Sequence, residues 1–163
     1  MRGVTAILVA VLSAVFATMP ARAEVLRSYN TGAWLIEANG RQGAFEHCTA
    51  TGTYGGGASV MFMVDGDWQW GVVINNPKWN WRQGSKGGVT YWVDNYTRRS
   101  GQAEALTETA LFLGLADSES LFREIKAGNR LYIDPRGQDG FNITLIGTYV
   151  ALDELLACVK HYK

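Results

Sequence analysis

Two cysteines, Cys48 and Cys158, stand far apart in a chain whose first residues read as an export signal, and no other feature restricts the fold as much. Arg2 gives the signal its positive start, and an apolar run from Val4 to Met19 is interrupted only by Thr5, Ser13 and Thr18. Pro20 then precedes Ala21-Arg22-Ala23, which puts small residues at the two positions a signal peptidase reads. A retained membrane helix is the competing reading. A span needs about 20 apolar residues, and this run is shorter and ends in a cleavage-like site. The expectation is a cleaved signal peptide at 1–23 and a single β-rich domain at 24–163, with no stable membrane insertion after cleavage. No cysteine follows the cleavage site to carry a lipid, and no Arg-Arg pair precedes the apolar run to suggest the twin-arginine route.

Export makes a disulfide the default state of a cysteine pair. Cys48 lies in Ala44–Ala50, which reads as a strand, and Cys158 lies in a terminal helix. A Cys48–Cys158 bridge would clamp that helix to an early strand. It would close a loop of about 110 residues, for which chain entropy alone gives about 4–5 kcal/mol, less any native strain. The alternative is a metal site, since His47 adjoins Cys48 and His161 follows Cys158 at helical spacing. Neighbouring strand residues point to opposite faces, so His47 and Cys48 would not share one ion. No metal or other cofactor is expected, and both histidines are read as surface groups.

Charge narrows the partners. The chain has 15 basic and 15 acidic residues, and Arg2 and Arg22 leave with the signal, so the domain is weakly acidic. It lacks the positive field that nucleic-acid binding needs.

Along residues 24–163 the apolar period is mostly two. Ala33–Ala38 and Ala44–Ala50 read as strands around a turn at 39–43. Ala58–Val64 is apolar on both faces and therefore central. Asp65-Gly66-Asp67 is a hairpin turn into Trp68–Ile74, where Trp68, Trp70, Val72 and Ile74 share a face. A turn at Asn75–Lys78 is expected to lead into a paired strand, Trp79–Arg82, placing four tryptophans on one side of a hairpin. Further strands are expected at Val89–Asn95, Thr109–Leu115, Leu131–Asp134 and Phe141–Ile146. Tyr96–Gln102, with Arg98-Arg99, is the most polar stretch and reads as an exposed loop. A helix over Glu119–Ala127, capped by Asp117 or Ser118 and stopped by Gly128, precedes a last helix capped by Thr148. The sum is mainly β (α+β): an antiparallel β-sandwich or curved sheet with two packed helices, the last at the C-terminus.

Catalytic patterns are scarce. No serine sits in a nucleophile elbow, and Gly55-Gly56-Gly57 lacks the rest of a phosphate-loop or dinucleotide motif. Glu104 and Glu108 have no evident partner to tune a pKa. The tryptophans at 68, 70, 79 and 81 read as core rather than as a sugar platform, because their strict two-residue period is that of a buried face. Trp92 alternates with Thr90 and Asp94 on a more mixed face. Trp92, Asp94, Arg98 and Arg99 are therefore the candidate binding residues.

Phe45-x-x-Cys48, the strand Trp68-x-Trp70-x-Val72-x-Ile74 and the ending Leu145-Ile146-Gly147-Thr148 through Leu155-x-x-Cys158-Val159 resemble small exported proteobacterial proteins, and distantly the invasion-associated locus B family. The resemblance implies a β-rich periplasmic or surface-associated protein without established catalysis. The expected role is an exported, non-catalytic binding protein, periplasmic or secreted, that contacts another protein as an inhibitor or accessory factor. A glycan or peptidoglycan binder using Trp92 and Tyr91 is the alternative.

Overall fold

A computed structural model describes residues 23–116 and 119–163. Residues 1–22 of the expected signal and the helix cap at Asp117 or Ser118 lie outside the described residues. The strands are β1 (Ala23–Thr31), β2 (Trp34–Arg41), β3 (Ala44–Thr53), β4 (Ser59–Asp65), β5 (Trp70–Asn75), β6 (Lys86–Val93), β7 (Arg99–Ala105), β8 (Ala110–Gly114), β9 (Arg130–Pro135) and β10 (Phe141–Thr144). Helix α1 (Glu119–Ala127) falls between β8 and β9, and α2 (Thr148–Tyr162) ends the fold.

All the strands join one antiparallel sheet in the order β1-β2-β3-β4-β5-β8-β7-β6-β9-β10. Chain neighbours pair by hairpins through β5, after which β6 crosses over and β8 returns to β5's free edge. Alternation then fixes a single inner face. Trp34, Ile36, Cys48, Phe62, Ile74 and Tyr91 all lie on it, each no more than 2% exposed. The sheet curls back on itself. Trp34 on β2 donates its indole N–H to the Ile146 carbonyl at 3.0 Å, and the Tyr54 hydroxyl donates to the Thr144 carbonyl at 3.0 Å. Residues from opposite ends of the strand order thus meet across the core.

Helix α2 lies over β2, β3 and β4, with Ala151, Leu152, Leu155 and Val159 fully buried. The two sulfurs expected to pair do so: Cys48 and Cys158 form a disulfide across a separation of 110 residues, with Cα atoms 6.2 Å apart. Helix α1 buries Leu121 and Ile125 and is fastened to β7 by the Arg99–Glu124 ion pair at 2.7 Å. Lys126 reaches Asp153 of α2 at 2.6 Å.

Several local expectations need correction. Trp79–Arg82 is not a strand, because both edges of β5 are already occupied by β4 and β8. Its chain instead turns at Asn76, whose side chain accepts the Lys78 N–H, and Trp81 N–H bonds the Glu108 carbonyl. The four tryptophans therefore do not share one hairpin face. Trp68 sits in the turn with φ of 63°, held by Asp65 accepting the N–H groups of Asp67 and Gln69, and it is 39% exposed. Trp70 instead packs on Phe122 of α1. Thr148 is not the cap of α2. Gly147, at φ of 82°, takes that position, and the buried Thr148 hydroxyl faces the carbonyls of Leu145 and Ile125. Arg99 to Gln102 form strand β7 rather than an exposed loop, and Tyr91 is core. Strand β1 was not among the strands expected. As an edge strand with mostly exposed residues it needs little apolar alternation, so its sequence is quiet.

Burial pushes the Tyr54 phenol up to about 12. An unfolded tyrosine ionises near 10, so the folded state keeps this proton longer than the unfolded chain does. The resulting stabilisation is whole below about pH 10 and fades as pH rises toward 12. The stability advantage of wild type over Tyr54→Phe should therefore shrink between pH 9 and 11.5 in urea unfolding. A gap that stays constant over that range would contradict it.

Candidate functional site

Outer-face residues of β6, β9 and β10 form a cross-strand row, because the register sets Trp92 opposite Tyr132 and Tyr132 opposite Asn142. The Trp92 and Tyr132 rings stack with centroids 5.1 Å apart and planes within 4°. From the β7 side the Arg98 guanidinium lies 3.9 Å from the indole centroid. The indole is thus held between a cation and a phenol, an arrangement that fixes three side chains at little further entropy cost. Arg130, two positions along β9, donates to the Asn142 side-chain carbonyl at 2.7 Å.

Beside this row the β6–β7 turn closes with Tyr96 N–H on the Val93 carbonyl. Asp94 sits in the turn at φ of 43°, a left-handed conformation that aspartate tolerates better than most residues. Its carboxylate accepts the backbone N–H groups of Asn129 and Arg130 at 2.8 and 2.9 Å, and the Asn129 amide at 3.3 Å. The turn is therefore pinned to the α1–β9 junction. At that junction a methyl group on Gly128 would collide with Val93 and come within 2.6 Å of the Glu124 carbonyl. Asp94, Asn95, Tyr96, Asn129 and Tyr132 line an open cleft of about 530 Å³.

Of the four residues singled out in the sequence, Trp92 and Arg98 form the stack and Asp94 frames the cleft. Arg99 points away. Its guanidinium donates to both carboxylate oxygens of Glu124 at 2.7 and 2.8 Å, and the hydrogen bonds to Glu124 raise its pKa further. Tyr132, Asn129, Arg130 and Asn142 were missed. Tyr132 carries a faint signal, as the large ring on the outward parity between buried Leu131 and Ile133. Its pairing with Trp92 depends on β6 lying beside β9, which no local pattern encodes.

The acidic residues Glu104 and Asp94 do not converge on one site. Glu104 pairs with Lys86 at 3.1 Å on the outer face, and Asp94 serves the backbone. Among the described residues no group of three or more His, Cys, Asp or Glu converges as a metal site, and no helix is long and apolar enough to cross a membrane. Chemically the site offers rings, amides and guanidinium N–H groups, which can stack on a ligand or donate hydrogen bonds to it. The class defined here is a mainly β protein of one curved antiparallel sheet, clamped by a disulfide, with an aromatic–cationic patch on its outer face. No family model, curated protein or solved structure matches this chain.

Proposed function

We propose that the chain is an exported, non-catalytic binding protein, periplasmic or secreted, that acts on another protein as an inhibitor or accessory factor. The observation that carries the reading is the union of the Arg98–Trp92–Tyr132 stack with the open cleft beside it. Tryptophan, tyrosine and arginine dominate the energetics of protein interfaces, above all where their side chains are already ordered. Tyr96, 54% exposed at the rim, adds a further ring that a partner can cover. The N-terminal signal pattern and the disulfide support the compartment. A sugar-stacking role draws less support, since Tyr91 is buried and both faces of the Trp92 ring are occupied.

Capture from the producing organism tests this. Purified protein is immobilised beside its Tyr132→Ala and Tyr96→Ala variants. Wild type should retain a partner protein that both variants hold at least about tenfold more weakly, as for an interface hot spot. Equal retention by all three would remove the patch from the partner contact.

A further inference from the structure

We infer that the group recognised at this patch is a carboxylate carried on an exposed acidic segment of the partner protein. The inference rests on the reading of the patch as the partner contact. Arg98 carries it. Among the described residues its guanidinium has the Trp92 ring and no hydrogen-bond or ion-pair partner, so its N–H groups are chemically open. Arg130 is the second cation on the same face, with one nitrogen on Asn142 and no carboxylate partner among the described residues.

The acids beside the cleft are otherwise engaged. Asp94 is filled by the N–H groups of Asn129 and Arg130, and Glu124 by Arg99. Asp134 is the exception on this face. It lies two positions along β9 from Tyr132, on the side away from Arg130, opposite Thr90. Around the cleft, Asn95, Asn129, Tyr96 and Tyr132 add neutral donors. Two open guanidinium groups beside neutral donors suit an anion. A planar guanidinium fork lying over a ring can meet a carboxylate with two parallel hydrogen bonds, and the ring contact restricts it before binding.

The geometry also selects the carrier. Recognition of an acidic sugar draws on ring stacking, yet both indole faces and one face of Tyr132 are covered. A nucleic acid presents a dense row of phosphates, and two arginines on opposite sides of β6 neutralise too few of them. Separate side-chain carboxylates on a peptide fit two separated cations.

Nitrogen-resolved NMR of the purified protein provides the test, with N-acetylated hexaglutamate, hexaglutamine and oligogalacturonate as probes. Hexaglutamate should shift the Trp92 indole N–H and the amides of Asn95 and Asn129. Its dissociation constant should rise at least about tenfold in Arg98→Gln, and rise again as salt screens the charges. Hexaglutamine should leave these signals in place. The inference falls if hexaglutamate does not bind, if Arg98→Gln binds it equally, or if oligogalacturonate binds more tightly. Partner capture separates the two levels. Retention by Arg98→Gln with loss in Tyr132→Ala sinks only the carboxylate, whereas retention by both sinks the patch.

Discussion

Opening the Cys48–Cys158 bridge lowers the free energy of unfolding by about 3–5 kcal/mol, the range expected when a crosslink over a loop this long is lost. Three features of its position place the effect near the top of that range. The bridge spans 110 residues, so it removes much of the unfolded chain's freedom. It joins α2 to β3, whose paired residues Ala38 and Val64 belong to the inner face, so the crosslink ends inside the core. Both half-cystines are nearly or fully buried, at 0% and 6% exposure. Against a domain stability of roughly 5–15 kcal/mol, this loss leaves a marginal fold. Urea unfolding of wild type with and without reductant, beside the Cys48→Ala/Cys158→Ala double variant, measures it. A difference below about 1 kcal/mol between oxidised and reduced protein would show that packing alone holds α2 on the sheet.

Truncating Trp34 should cost a similar amount, about 3–5 kcal/mol, as for a large aromatic removed from a close-packed core. The indole is 2% exposed and lies 5.9 Å from the Phe62 ring. Its N–H satisfies the Ile146 carbonyl at the junction of β10 and α2. The protein makes room for it with glycine. A Cβ at Gly52, the cross-strand partner, would sit 3.1 Å from the ring, and one at Gly147 would sit 3.3 Å away. Trp34→Ala therefore opens a cavity and frees a carbonyl at the place where the two ends of the sheet meet. Trp34→Phe keeps most of the volume and should lose roughly half as much. Denaturant midpoints together with near-UV circular dichroism would show both effects. A loss under about 1 kcal/mol for the alanine variant would mean that the sheet closes without this contact.

Much of this architecture is legible in the sequence wherever a residue's fate depends on its own neighbours along the chain. Val60, Phe62 and Val64 alternate, and they are buried in β4; Leu121 and Ile125 share a helical face, and they are buried in α1. The same local logic misled at Trp68 and Trp79–Arg82. Alternation runs straight through the Asp65 turn, and only the turn's hydrogen bonds show that the strand starts at Trp70. Arg99 likewise looks solvent-bound in its polar stretch, until α1 delivers Glu124 to it.

The candidate site divides along the same line. Trp92 and Arg98 could be singled out because a large ring on a mixed face and an unmatched charge are properties of a short segment. Tyr132, Asn129 and Arg130 could not, because they reach the site through a pairing between strands forty residues apart in the chain.

By itself the sequence determined the strand and helix periods, the inner parity of most elements, and a cysteine pair whose chemistry outside a reducing compartment is to join. Those are consequences of covalent order and of the two-residue and 3.6-residue repeats, which act over a few positions. Only the tertiary structure decided that β8 takes the second edge of β5, that β6 lies against β9, and that a cation, an indole and a phenol therefore stack in one row. Strand order is a competition among edges for backbone partners. Its outcome depends on the free energy of the whole sheet rather than on any one segment.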